Sequence, residues 1–78
     1  MIALEKYYHL SGNTVRLLLA DGNTLTGFFS DVVSAEDNAE HAIDNGREPP
    51  GASIYLDTTE GIPMEIYASE IERMEATQ

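Results

Sequence analysis

The feature that most constrains the fold is a pair of short apolar segments joined by an Asp-Gly turn. From Thr14 to Phe29 the chain reads TVRLLLADGNTLTGFF, with small or apolar residues at every second position on both sides of Asp21-Gly22. That period is typical of β-strands with one buried face. Glycine accepts the positive φ of tight hairpin turns. Gly27 lies inside the second segment, where glycine commonly marks a sharp bend. We therefore predict a bent β-hairpin that begins a small barrel.

The remaining segments predict a helix before this hairpin and three further strands after it. The predicted helix spans residues 3–10, and the predicted strands span 14–20, 24–33, 53–57, 62–67 and 71–74. Ile54 and Leu56 are expected to point inward, as are Met64 and Ile66. Ser69 begins a Ser-x-x-Glu capping box, which predicts a short helical turn before the last strand.

Residues 34–51 form the one long segment without hydrophobic periodicity. Their sequence is polar and acidic, contains Asn45-Gly46 and Pro49-Pro50, and includes Ile43 as its sizeable apolar residue. Composition of this kind predicts a mobile loop, with at most a transient helical turn. We therefore expect a single domain over residues 1–78 that carries one variable acidic loop.

The charge balance restricts the partners of this chain. Fourteen acidic residues stand against four basic ones, for a net charge of −10. Such a balance disfavours phosphate backbones and anionic membranes. It either keeps the protein soluble or provides an acidic face for a basic partner. No apolar run resembles a signal peptide or a membrane span, so we expect a cytoplasmic protein without membrane association.

The order of these elements resembles the Sm-like (LSm) family. The residues that carry the resemblance are Gly12-Asn13-Thr14-Val15-Arg16-Leu17-Leu18-Leu19, then Asp21-Gly22, then Leu25-Thr26-Gly27-Phe28-Phe29. The segment Ser69-Glu70-Ile71-Glu72-Arg73-Met74-Glu75 is similar to the end of short acidic bacterial and phage members of unassigned role. The resemblance implies an all-β, five-stranded SH3-like barrel with a short N-terminal helix. It also implies a ring in which the fourth strand of one subunit pairs with the fifth strand of the next.

RNA-binding members of that family carry an Asp-x-x-x-Asn-like motif after the second strand and an Arg-Gly pair before the last strand. In this chain the second position holds Ala68-Ser69, and Asp37-Asn38 imitates the first among neighbouring acids. The candidate RNA contacts are Lys6, Arg16, Asp37 and Asn38. The resemblance supports the fold and ring assembly better than it supports uridine binding.

Residue patterns for catalysis are missing from the sequence. The chain has no cysteine and only two histidines, His9 and His41, far apart in the sequence. The acidic loop does not follow the spacing of a calcium-binding loop. The serines lack a Gly-x-Ser-x-Gly context, and the glycines form no phosphate-binding loop. We expect neither an enzyme nor a metal or other cofactor.

These observations favour a non-catalytic interaction or scaffold protein that forms a homo-oligomeric ring and has an unknown protein partner. The expected interface residues are Ile62, Met64, Ile66, Tyr67, Ile71 and Met74. An RNA-binding Sm-type regulator is the alternative function, which the net charge disfavours. A third interpretation is a monomeric acidic SH3-like module that binds a basic peptide; it differs from the first in oligomeric state.

Overall fold

The computed structural model describes residues 3–58 and 60–77 as one antiparallel β-sheet with an α-helix between its second and third strands. The elements are a first 3₁₀ helix (Leu4–Leu10), β1 (Thr14–Leu19), β2 (Thr24–Val33), α1 (Ala35–Asp44), β3 (Ser53–Thr58), β4 (Pro63–Tyr67), a second 3₁₀ turn (Ala68–Glu70) and β5 (Ile71–Ala76). All five predicted strands are confirmed, with small differences at their ends.

The strand order across the sheet is β4-β3-β2-β1-β5, and every neighbouring pair is antiparallel. β1, β2 and β3 are central strands with a hydrogen-bonded neighbour on each side. β4 and β5 are the two edges, and within the described residues no pairing joins them. The confirmed architecture is therefore an open five-stranded antiparallel sheet with short helical elements.

The predicted Asp-Gly turn joins β1 to β2. The Asp21 carboxylate accepts hydrogen bonds from the backbone N–H of Asn23 at 2.9 Å and from its Nδ2 at 3.0 Å. Gly22 has a φ of 90°, a conformation in which glycine meets no steric penalty. Asp21 and Gly22 thus fix the turn by local contacts, which is why it is visible in the sequence.

The core lies on one face of this sheet and is closed at one end by Leu4 of the first 3₁₀ helix. The buried apolar cluster consists of Leu4, Val15, Leu17, Phe29, Ile54, Leu56, Ile66, Ala68, Ile71 and Met74. Because both edge strands contribute to the same cluster as the central strands, the sheet curves around its apolar face. Met64 lies opposite Leu56 and therefore on the inner face, as predicted, but it is 40% exposed and stands outside the buried cluster.

Gly27 is required because two strands approach closely. A Cβ atom at this position would lie 2.6 Å from the Asp57 carbonyl oxygen and 2.9 Å from Leu56 Cγ. Contacts this short involve backbone as well as side chain, so β3 would have to move. Close packing of β2 against β3 is therefore the physical reason for a glycine here, and the sharp bend at this position stays a prediction.

Residues 35–44 are an α-helix, so the prediction of a mobile loop is wrong for this part of the segment. The Ser34 hydroxyl accepts a hydrogen bond from the Asp37 N–H at 3.1 Å and caps the N-terminus. Glu36 and Asp37 in the first turn interact favourably with the helix dipole. Composition alone does not reveal these end contacts, which is why the helix was not predicted. Ala42 of this helix is buried against the rest of the molecule.

The predicted turn before β5 exists, but Ser69 does not cap it. The 3₁₀ turn begins one residue earlier, at Ala68, and Ser69 lies exposed within it. The contact that stabilises the turn runs from the Tyr67 N–H to Glu70 Oε1, at 3.1 Å. The acid that stabilises the turn is therefore Glu70, bonded to the N–H of Tyr67, and not Glu72 of the predicted box.

Candidate functional site

A chain of polar contacts joins α1 to β4 on the face of the sheet opposite the core. Asn38 of α1 donates through its Nδ2 to the Gly51 carbonyl at 2.7 Å and to Ser53 Oγ at 3.0 Å. The Ser53 hydroxyl donates to Glu65 Oε2 at 2.8 Å. Ser53 directly precedes the core residue Ile54 and so lies on the outer face of the sheet. It nevertheless has 0% exposure, because α1 covers it. Its buried hydroxyl is therefore satisfied on both sides.

Tyr67 completes this chain at the edge of the sheet. Its hydroxyl donates to Glu65 Oε1 at 3.3 Å, so both carboxylate oxygens of Glu65 accept a hydrogen bond. Desolvation raises the pKa of Tyr67, and the neighbouring Glu65 charge raises it further, while the charge of Arg47 opposes these effects. The neutral phenol is thus favoured, and it keeps the proton that it donates to Glu65.

A shallow cleft opens beside these residues, between α1, the segment that follows it and the end of β4. Its walls are formed by Asn38, His41, Ala42, Arg47, Glu48, Pro50 and Tyr67. Arg47 and His41 contribute groups that can carry positive charge in a strongly acidic chain. Within the described residues, however, no polar side chain that is buried and without a partner points into this cleft.

The open edge of β4 is rich in acceptors and poor in donors. The Ala68 N–H donates to Ala52 O and the Thr58 N–H donates to Ile62 O, which fixes the alternation of the β3–β4 ladder. Pro63, Glu65 and Tyr67 therefore direct their backbone groups away from β3. Pro63 has no N–H, and the Tyr67 N–H is bonded to Glu70. Glu65 alone presents both an N–H and a carbonyl along β4.

The open edge of β5 has the complementary character. The Thr77 N–H donates to Thr14 O, and the same register pairs Arg16 with Glu75. Hydrogen-bonded pairs in an antiparallel ladder recur at every second residue. Met74 and Ala76 therefore direct complete N–H and carbonyl groups to the open side. β5 offers donors where β4 offers mainly acceptors.

The predicted interface residues are divided between the core and these edges. Ile66, Ile71 and Met74 have exposures of 4%, 0% and 3%, so their side chains belong to the core of their own chain. Ile62 and Met64 are exposed, at 57% and 40%, and Tyr67 is half-buried. Of these three, only Met74 directs its backbone groups to an open edge, because the backbone of Ile66 is bonded to β3 and the Ile71 N–H to Ala68 O.

The structure does not bring the four candidate RNA contacts together. Lys6 is exposed on the first 3₁₀ helix, and Asp37 lies in the first turn of α1. Asn38 is committed to the contacts described above. Arg16 lies on β1 and forms an ion pair with Glu75 of β5. These residues occupy three separate elements, and two of the four are already engaged within the chain.

The Arg16–Glu75 pair is the only ion pair within residues 3–58 and 60–77. Arg16 donates to Glu75 Oε1 through Nε at 3.0 Å and also through a terminal guanidinium nitrogen. This hydrogen bonding, then the charge of Arg16, and to a smaller extent that of Arg73, lower the pKa of Glu75. Both side chains are exposed, so solvent screens the attraction.

The described residues show neither a metal cluster nor a membrane-spanning helix. In the part of the chain that the structure describes, no three His, Cys, Asp or Glu side chains converge as a metal site would require. The acids of α1 project from the helix without meeting at one point. None of the described helices is both long and apolar enough to cross a bilayer.

Sequence reasoning missed the contact chain from Asn38 to Tyr67. Its members are separated by many residues in the sequence, and they meet only because β3 and β4 pair in one register and α1 packs over them. One available signal was Ser53, a small polar residue directly before the apolar pair formed by Ile54 and Leu56 around Tyr55.

Comparisons with protein families, with curated proteins and with solved structures give no match for this chain. The Sm-like resemblance stays a prediction from the sequence.

Proposed function

We propose that this chain is a non-catalytic scaffold protein that assembles with copies of itself into a ring, each subunit forming an Sm-like, SH3-like barrel. The single observation that carries the proposal is the complementarity of the two open sheet edges. A strand edge with unpaired backbone groups readily accepts another strand unless it is blocked. In this chain the β4 edge is partly blocked, because Pro63 and Tyr67 offer no free N–H, whereas the β5 edge presents complete groups at Met74 and Ala76.

Self-pairing of β4 is unfavourable. With Glu65 opposite its own copy, Pro63 and Tyr67 contribute no donor to each other's carbonyls. The two Glu65 side chains would also lie directly opposite one another with like charge, which destabilises a strand pair. A symmetric dimer through β4 is therefore disfavoured.

Pairing of β4 with β5 of another copy uses the available groups better. With Glu65 opposite Met74, these residues exchange two hydrogen bonds, and the Ala76 N–H faces the Pro63 carbonyl. In this register the whole of β4 lies alongside residues 72–76. Such a head-to-tail contact leaves one unused edge at each end of an assembly, and a ring results if the rotation closes.

Curvature of the sheet supports the barrel that the ring requires. Ile66 of β4 and Met74 of β5 pack into one cluster although their strands lie at opposite edges of the sheet. The small size of the domain adds a reason to assemble, since a chain of this length buries a limited core by itself. Its charge of −10 per copy opposes association, so moderate salt is expected to favour the ring.

Cysteine cross-linking tests this proposal, because the natural chain contains no cysteine. In the proposed register Met64 lies opposite Glu75 at a non-hydrogen-bonded pair, where the Cα separation suits a disulfide. The double variant Met64→Cys/Glu75→Cys is expected to give a ladder of covalent oligomers under mild oxidation. Each single variant serves as a control and is expected to remain uncross-linked.

Light scattering of the natural chain in moderate salt provides the independent measurement. A mass of several subunits is expected, and a monomeric mass at micromolar concentration would contradict assembly. Cross-linking of Met64→Cys alone would instead indicate β4–β4 dimers. RNA binding, the alternative function, is tested by fluorescence anisotropy with oligo-uridine and oligo-adenine. Tight, salt-sensitive binding that Arg16→Ala abolishes would favour the RNA regulator over the scaffold.

A further inference from the structure

Glu65 takes part both in the open edge of β4 and in the polar contact chain that begins on α1. Its backbone is the one complete donor–acceptor pair on the β4 edge, and its carboxylate is the end point of the contact chain that starts on α1. Tyr67, two residues further along the same edge, is held through its hydroxyl by Glu65 and through its N–H by Glu70. The edge that faces a second copy is therefore tied to the rest of the chain through side chains.

We propose that α1 positions the β4 edge for assembly, and that Asn38 and Ser53 transmit this effect to Glu65. The inference rests on the proposed ring and adds the element that controls its seam. Asn38 and Ser53 are positioning residues, since neither has to touch the second copy. Under this proposal α1, which composition predicted as a mobile loop, has a role in assembly.

The physical reason is preorganisation. A strand pairs without further ordering cost only if its backbone already has the extended conformation that its partner requires. Edge residues have a neighbouring strand on one side alone, and β4 is a short strand of five residues paired with β3. Fixing both Glu65 oxygens through Ser53 and Tyr67 restricts the side chain and with it the backbone of this edge.

Asn38→Ala removes the link at α1 and leaves every β4 residue unchanged. Asn45→Ala is the matched control: Asn45 lies at the end of the same helix, and its Nδ2 donates to the His41 carbonyl at 2.8 Å without contacting the sheet. Sedimentation velocity over a dilution series is expected to show self-association weakened roughly five- to tenfold by Asn38→Ala, the loss of about one hydrogen bond. Asn45→Ala is expected to leave it unchanged.

A double-mutant cycle with Glu65→Ala separates positioning from a general loss of stability. If Asn38 acts through Glu65, Asn38→Ala has no additional effect on the dissociation constant once Glu65 is already alanine. An equal loss in both backgrounds would overturn the inference, as would unchanged self-association in the Asn38→Ala single variant. Circular dichroism at the temperature of the assay checks that every variant is folded.

The proposed ring and this inference fail in different ways. If the natural chain is monomeric at all concentrations, the ring is wrong, and NMR then tests the positioning directly. The amide resonances of Glu65 and Tyr67 are expected to shift in Asn38→Ala and to stay in place in Asn45→Ala. Resonances that do not move in either variant would overturn the coupling between α1 and β4.

Discussion

The two hairpins of this protein contribute to one apolar core but differ in the contacts on their outer faces. The β1–β2 hairpin occupies the centre of the sheet, and its inward residues Val15, Leu17 and Phe29 have 0% exposure. The β3–β4 hairpin reaches the edge. Its outer face depends on a polar chain through Ser53 and Glu65, and on its inner face Met64 stays partly exposed.

This difference reflects the position of each strand in the sheet. A central strand is positioned by apolar contacts and by two ladders, so polar contacts on its outer face add little. An edge strand lacks one ladder, so side-chain hydrogen bonds can decide its conformation. Variants in the two hairpins are therefore expected to affect stability in distinct ways.

The largest effect is expected in the central hairpin, from Gly27→Val. The new side chain would meet the Asp57 carbonyl, which a Cβ alone would approach to 2.6 Å, so β2 and β3 must separate. We expect a loss of about 3 kcal/mol in the free energy of unfolding, measured by urea titration. Thr26→Val is the control, since Thr26 is the exposed neighbour on the opposite face. Equal stabilities of the two variants would show that the close approach of β3 is unimportant.

An intermediate effect is expected in the edge hairpin, from Ser53→Ala. The change removes a buried hydroxyl that links Asn38 to Glu65, at a cost of about 1 kcal/mol. For a domain of this size the unfolding midpoint falls by roughly 5 °C. Ser30→Ala removes an exposed hydroxyl that donates to the Tyr55 carbonyl, and we expect little change. Equal decreases in the two unfolding midpoints would show that the buried hydrogen bonds of Ser53 stabilise the edge hairpin no more than the exposed hydrogen bond of Ser30 does.

The smallest effect concerns pH and the exposed ion pair that joins Arg16 of the central hairpin to Glu75 of β5. The pKa of Glu75 is lowered by hydrogen bonding to Arg16, so the folded chain binds a proton there less readily than the unfolded chain does. Its contribution to stability is complete above the ordinary carboxyl pKa, and it is lost as pH falls through the lowered value.

An NMR titration of the Glu75 carboxyl carbon measures this contribution. In the Arg16→Gln variant we expect the pKa to return toward the ordinary value, and in high salt we expect the shift to decrease. Because both side chains are exposed, the associated change in stability is expected to be small. A pKa that does not respond to Arg16→Gln would contradict the assignment of its cause.

Much of the sheet could be predicted from the sequence, and little of the candidate site. The Asp21-Gly22 turn and the alternation along β1 and β2 are patterns within a few neighbouring residues, whereas the need for glycine at Gly27 comes from the close approach of β3. The α-helix over residues 35–44 was missed because polar composition outweighed its end contacts at Ser34 and Asp37. The mistaken cap at Ser69 shows that a local motif can match one position while the cap contact forms two residues earlier, between Tyr67 and Glu70.

By itself, the sequence determined what depends on local geometry: where strands begin and turn, and which of their faces is apolar. Side-chain period and turn conformation are set by adjacent residues, so they can be recognised without a fold. Only the tertiary structure decided that Asn38, Ser53, Glu65 and Tyr67 meet, and that β4 and β5 are edges with opposite hydrogen-bonding character. These features arise from strand order and register, which join residues that are distant along the chain. A change of register by one residue would place the same side chains on the other face.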